Sequence, residues 1–384
     1  MKNRLSSYLT DLRSQRKDEL QIKKKNGEII AGYYCLYSPV EVIEACGAVP
    51  VRVMENGSYE DETRGSRFLK SDSCSFCKAS LGSLTGSGIY SCIISGNTCD
   101  QIRRIHEIIS NEIGIPVYLF SNPRTYGKDS TAQMFRSEIK WIIDELTVLT
   151  GKKFSEKLLS ERVIKWNELR SFLKKVHDMR KSNFPLISGT DMQDLIFTAY
   201  FLGPDRFLPV ITEIENILNE GNLPETKDPV RIMLGGSICS SDDRLIHNLI
   251  EENQNAVIVS DLTCTGVRWF SNLIDVKGTV FENVCDYYHL KMMCPHRRPN
   301  YPLFEFAAEQ IKQWKPDGMI YRTLKFCHPW TFEARTFKEE SGLPVLHLDT
   351  DYSTSNIGQL RTRIQAFLEM ITAKKEIIID ENNS

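Results

Sequence analysis

Apolar residues in this chain come in short dense runs. Longer stretches lie between them, where apolar positions recur every three or four residues. The runs are AVPVRVM (48–54), YSCIISG (90–96), IPVYLFS (115–121), VRIMLGG (230–236), NAVIVSD (255–261), DGMIYRTLKF (317–326) and LPVLHLD (343–349). Runs of this length, rich in Val and Ile and bounded by Gly, Pro and Asn, read as strands buried on both faces in a parallel sheet. The intervening stretches read as amphipathic helices, among them CDQIRRIHEIIS, SSDDRLIHNLIEE, PLFEFAAEQIKQW and NIGQLRTRIQAFLEMI. SPVEVIEACG carries its own start signal: Ser38 as N-cap, Pro39 at the first helical position and Glu41 three residues after the serine. Strand–helix alternation implies α/β layers.

The runs fall into two groups around a long helical middle, roughly 129–220. The expected fold class is therefore α/β, with two doubly wound, Rossmann- or flavodoxin-like parallel-sheet domains. The expected segments are an N-terminal helical piece (1–30), a first α/β domain with a helical extension (31–190), a helical connector (191–224) and a second α/β domain (225–384). The length of 384 residues agrees, since one hydrophobic core seldom serves so long a chain.

At 41% apolar and 26% charged the composition is that of an ordinary globular protein. The net charge of -2 gives no broad basic field, so nucleic acid is not an expected partner. No apolar run is long enough to span a bilayer, and MKNRLSSYLTDLRSQRKDEL lacks the apolar core of a signal peptide. A cytoplasmic protein with no membrane partner is expected. Its 11 cysteines would then sit in a reducing compartment, where structural disulfides are disfavoured.

In open α/β sheets, ligands bind beyond the carboxyl ends of the strands. Cys99, Cys264 and Cys327 lie at that address, each directly after a predicted strand. Cys99 and Cys327 also open helices, where free N–H groups and the helix dipole are expected to lower a thiol's pKa. Cys74 lies at another loop-to-helix boundary, with Ser71 or Asp72 as a possible cap. The alternative for any one of these is core filler, because a free cysteine packs as a small hydrophobe. Cys46 and Cys92 read as core, and Cys285 has no cue.

Cys74 and Cys77 form a CxxC, open to reading as a redox pair or half a zinc site, but no second close pair exists. His106 and His247 lie on amphipathic helices and read as surface or core. His328, beside Cys327, is a site candidate. His296 sits in CPHRRPN with Arg297 and Arg298, either a solvated turn or an anion grip. GGSICSSDD (235–243) has the position of a phosphate loop without its glycine pattern.

Together these residues resemble a family. GYYCLYSPVEVIEACGAVPVRV (32–53), SGNTCDQIRRIHE (95–107), SDLTCTGVRWF (260–270), CPHRRPN (294–300), DGMIYRTLKFCHPWTFEA (317–334) and LDTDYSTSNIGQLRTRIQAFLEMI (348–371) are similar, in this order, to the 2-hydroxyacyl-CoA dehydratase and benzoyl-CoA reductase subunits. These include the D-component of 2-hydroxyglutaryl-CoA dehydratase.

The resemblance implies a [4Fe–4S] cluster in the cleft between the domains, held by Cys74, Cys99 and Cys327. It implies one-electron reduction of an acyl-CoA thioester to a ketyl radical, from which the 2-hydroxyl leaves as water. It also implies a homologous second subunit, in a heterodimer or homodimer, and an ATP-dependent iron–sulfur activator. Ser38 and His328 are then candidate catalytic residues, and Arg297 and Arg298 candidate substrate contacts. The tail DTDYSTSNIGQLRTR also resembles a branch carrying a double-cubane [8Fe–9S] cluster, an ATP-dependent reductase of small molecules. Cys264, Cys294 and Cys35 match further cysteines of that branch, whereas Ser237 and the cysteine-free 82–91 depart from it. A third possibility is a non-catalytic electron-relay subunit.

Overall fold

A computed structural model of the chain describes residues 2–53, 57–125, 127–183, 185–220, 228–241, 243–252, 255–291 and 293–383. The eight strands are β1 (Ile30–Tyr33), β2 (Val49–Arg52), β3 (Cys92–Gly96), β4 (Val117–Phe120), β5 (Val230–Gly236), β6 (Ala256–Asp261), β7 (Gly318–Leu324) and β8 (Val345–Thr350). They form two four-stranded sheets, ordered β2-β1-β3-β4 and β6-β5-β7-β8, and every pairing is parallel. Both sheets are doubly wound α/β units, as the strand–helix alternation predicts.

Seven of the strands coincide with the apolar runs, β8 passing the end of its run by one residue. The eighth, β1, was not among them. Its sequence IAGY places Ala31 and Gly32 in mid-strand, which breaks the dense Val/Ile signature. The structure explains the small residue. A Cβ on Gly32 would strike the side chains of Ile93, Tyr90 and Val53, so β1 is central because it is thin.

In each sheet the chain leaves the first strand towards one side and returns on the other. The order therefore reverses between β1 and β3, and again between β5 and β7. Crevices open at the carboxyl ends of such strand pairs.

Helices cover the sheets and join them. Gly189–Leu202 is almost wholly buried and packs against both β2 and β6. The N-terminal helix Lys2–Lys25 lies along it, with Arg13 Nη1 donating to Thr198 Oγ1 at 2.8 Å. Glu156–Asp178 reaches back to the first sheet. Its Arg170 donates to Glu41 at 2.5 Å, and Tyr288 from Val280–Leu290 donates to the same carboxylate at 2.8 Å. The expected boundary at 224/225 lies outside the described residues. No helix is long and apolar enough to cross a membrane.

Two start signals are used differently from expectation. Pro39, not Ser38, is the N-cap of Val40–Ala45, and the buried Ser38 hydroxyl has no hydrogen-bond partner. Glu41 is drawn into the Arg170 ion pair instead of closing a capping box. At the second, neither Ser71 nor Asp72 caps the helix Ser75–Ser87; Cys74 itself holds that position.

Candidate functional site

The two reversal points face one another, and cysteines occupy the loops that leave them. Cys35 follows β1, Cys99 follows β3 and Cys327 follows β7. Cys74 arrives on a separate loop and opens Ser75–Ser87. Backbone hydrogen bonds stitch these loops together. Gln101, two residues after Cys99, accepts the Cys74 N–H through Oε1 at 3.3 Å. The Lys325 carbonyl, two residues before Cys327, accepts the Ser75 N–H at 3.3 Å.

The thiols meet. Cys74 has both Cys327 and Cys77 as electrostatic neighbours. Cys77 lies close enough to Cys99 and Cys327 to feel their charge, and Cys99 feels Cys327 and Cys35. Cys327 lies beside the buried Ser237, the residue that follows β5. Ser237 Oγ also accepts the Leu324 N–H at 3.1 Å, which pins the β7 exit loop beside it. Phe326, just before Cys327, takes a left-handed backbone with φ of 63°, an uncommon state for a bulky residue. This turn sets Cys327 at the start of His328–Glu340.

Cys99 is an N-cap, as its position predicts, and its sulfur accepts the Ile102 N–H at 3.4 Å. The expected fall in pKa does not follow. Burial pushes the Cys99 thiol up to about 12, outweighing the N–H groups. The Cys327 thiol is also pushed well up, by the neighbouring Cys74 and then by burial. Buried thiols with one another for company hold their protons until a cation compensates the charge.

A second group adjoins the first through Cys35, whose electrostatic neighbours are Cys294 and Cys264. Cys264 Sγ accepts from Arg268 Nη2 at 2.8 Å, and Cys294 bonds to the Tyr37 hydroxyl. Arg268 is buried, lies 4.8 Å over the Trp330 ring and also donates to the Met293 carbonyl. Cys46, Cys92 and Cys285 are buried in the core, their thiols pushed up to about 12 by burial. Cys239 sits beside the Arg322–Asp243 ion pair, its N–H donating to Thr265 Oγ1 at 3.3 Å.

The remaining candidates are placed unequally. Ser38 is buried next to the β1 exit loop, its N–H donating to the Cys35 carbonyl at 3.1 Å. His328 is exposed, its ring 6.2 Å from that of Phe332. Arg297 is buried and committed to protein groups: Tyr37 Oη at 3.1 Å, the Pro123 carbonyl at 2.9 Å and Asn122 Oδ1 at 3.3 Å. Arg298 is about half exposed and reaches Glu333 at 3.4 Å. His106 and His247 are both buried. Sequence reasoning read Cys77 only as half of a CxxC and left it out of the site, whereas the fold makes it a neighbour of Cys74, Cys99 and Cys327. The usable signal was its spacing, since an N-cap residue and the third helical residue share a face.

Comparison with known proteins places this geometry in a family. The chain matches the family described as 2-hydroxyglutaryl-CoA dehydratase, D-component, over residues 35–371. It is 26% identical over 364 residues to an Escherichia coli K12 protein named as a dehydratase subunit, YjiM, covering 91% of this chain and 93% of that one. It is 24% identical over 358 residues to the (R)-phenyllactyl-CoA dehydratase beta subunit of Clostridium sporogenes, with 91% and 93% covered. It is 22% identical over 372 residues to the (R)-2-hydroxyglutaryl-CoA dehydratase beta subunit of Acidaminococcus fermentans, with 91% and 94% covered. Two parallel sheets with cysteines at their facing reversal points thus go with a match over nearly the whole chain, and the protein belongs to the 2-hydroxyglutaryl-CoA dehydratase D-component family.

Proposed function

We propose that this chain is the iron–sulfur component of a 2-hydroxyacyl-CoA dehydratase-type enzyme, with Cys74, Cys99 and Cys327 as ligands of a [4Fe–4S] cluster. The observation that carries the reading is the meeting of these three thiols, one buried and two half-buried, from separate loops tied together by Gln101 and the Lys325 carbonyl. The donor set fits the group. Thiolate sulfur is the usual ligand of iron–sulfur clusters, and a cationic centre removes the cost of ionising buried thiols. Among the described residues no three His, Cys, Asp or Glu side chains are posed to hold a single metal ion. A cubane takes its ligands on separate irons, so its cysteines stand wider apart than the ligands of one ion.

When bound, the cluster would supply the low-potential electron for reduction of an acyl-CoA thioester, the step that lets the 2-hydroxyl leave as water. The chain's own contribution is to hold and shield. Ser237 fixes the Cys327 loop, and Phe76, Trp330 and Tyr34 are buried among the apolar residues around the site and would limit water. Arg298 is the more open of the two arginines to an anionic acyl-CoA, and His328 stands at the lip. Relatives include proteins named as alpha and as beta subunits of (R)-2-hydroxyglutaryl-CoA dehydratase. This supports a homologous partner subunit here; an ATP-dependent activator belongs to the same proposal.

One observation favours a second reading. Cys35, Cys264 and Cys294 form a thiol group directly beside the first, as a double-cubane [8Fe–9S] reductase would need. Iron and acid-labile sulfide per chain after anaerobic purification, with EPR spectra, decide between the two. About four irons support the single cubane and about eight the double. Zinc or no metal sinks both. Binding of an acyl-CoA to the isolated chain distinguishes a substrate-holding subunit from an electron relay.

A further inference from the structure

We infer that the protein holds an internal water molecule in a polar cavity between the middle helices and the second sheet, where the water bridges Arg180, Gln193, His247 and Asp261. The site lies outside the iron–sulfur reading and does not depend on it. Every residue that lines the cavity is buried, and the space admits about one water molecule. Four elements supply its polar wall. Arg180 comes from the turn Met179–Lys181, Gln193 from Gly189–Leu202, His247 from Leu245–Glu251 and Asp261 from the end of β6. None of the four is more than 8% exposed.

Their polar groups are only partly used. Gln193 Nε2 donates to the Ser240 and Asp243 carbonyls, both at 3.4 Å, but Gln193 Oε1 has no partner among the described residues. Arg180 Nη2 donates to the Ile258 carbonyl, whereas Arg180 Nε and His247 Nδ1 have no such partner. Buried polar groups left in this way are costly, and ordered water is what commonly satisfies them. Arg180 and Asp261 carry opposite charges and are electrostatic neighbours, with no direct ion pair between them among the described residues.

Water is the ligand that fits this wall. Arg180 Nε can only donate and Gln193 Oε1 can only accept, so the occupant has to accept and donate at once. A halide has no proton for Gln193 and would face Asp261. An alkali cation would meet the Arg180 guanidinium. Burial pushes His247 down to about 3, so its ring is neutral and offers a donor or an acceptor according to its tautomer. The water would support the Cys264 loop from behind. Asp261 Oδ1 accepts the Thr263 N–H at 2.7 Å at the start of that loop, and Val267 and Phe270 after it complete the wall.

The test is a crystal structure of the full chain fine enough to show ordered water, with parallel soaks in bromide and in rubidium. One peak is expected within hydrogen-bonding distance of Arg180, Gln193 and His247, with no anomalous signal there in either soak. A cavity without density overturns the inference. An anomalous peak from bromide or rubidium at that place shows an ion instead and overturns it too. A solution measurement accompanies the crystal. Oxygen-17 relaxation dispersion counts long-lived internal waters, and Ile196→Phe pushes a ring into the cavity from its apolar wall. The variant should show one long-lived water fewer than the wild type, and an equal count overturns the inference. The wild-type crystal decides the question if the variant fails to fold.

Discussion

The Ser75 N–H donates to the Lys325 carbonyl at 3.3 Å, and this bond ties the Cys74 loop of the first unit to the Cys327 loop of the second. Replacing Cys74, Cys99 or Cys327 singly with Ser should lower iron per anaerobically purified chain by more than half and remove the cluster's EPR signal. Retention of full iron by all three variants would show that the group is held elsewhere.

The second thiol group makes a separate prediction. If the site holds one cubane, Cys264→Ser and Cys294→Ser should leave iron at about four per chain. Loss of about half of a higher starting content in either variant would establish the double cluster.

The helix that carries Cys74 and Cys77 lies unusually close to Tyr59–Gly65. A Cβ on Gly82 would fall against the Asp61 carbonyl, and one on Gly65 against the Lys78 carbonyl. Backbone cannot step aside as a side chain can. Gly82→Ala should therefore cost about 1–3 kcal/mol and reduce iron loading by displacing the helix. Gly358→Ala is the control. Nothing lies within 4 Å of its added methyl, so iron should be unchanged. Urea denaturation and iron content on the same samples check both.

Glu41 and Arg170 form an ion pair with no exposed side-chain surface, completed by the Tyr288 hydroxyl. It ties the first sheet to the middle helices and to Val280–Leu290. Arg170→Met leaves Glu41 buried without a counter-charge and should destabilise the protein by about 3–5 kcal/mol. Arg170→Met combined with Glu41→Gln should recover much of that loss. Urea midpoints of the two variants provide the comparison.

Glu44 offers a pH test. Burial pushes its carboxyl from 4.5 to about 7, although the Trp166 indole N–H donates to it at 2.8 Å. Raised in this way, it binds more protons in the folded state than in the unfolded state across that interval. Its contribution to stability is thus fully present below pH 4.5 and is lost as pH rises to about 7. Glu44→Gln should flatten the fall in urea midpoint over this window. An unchanged slope would show that Glu44 ionises freely in the folded protein.

Much of this architecture is legible in the chain itself. Dense Val/Ile runs identify strands because a parallel strand is buried on both faces, and seven of the eight were readable on that rule. β1 escaped it because the middle of a crowded sheet demanded Gly32, a residue that carries no hydrophobic signal. Cys99 and Cys327 could be placed at helix starts from sequence, since capping is local and depends on a few neighbouring residues. Whether those thiols meet is not local. Only the facing of two sheets brings Cys74 onto Cys327, and only helix phase turns Cys77 towards them. Burial likewise reverses the expected pKa of Cys99, because desolvation depends on everything packed around a group and a helix terminus only on its own turn. Ser38 and Glu41 show the same limit. They spell a capping box in sequence, but Arg170 and Tyr288, distant in the chain, offer Glu41 stronger partners. Sequence determined the elements and the types of donor; tertiary packing decided which donors share a site and in what state of charge.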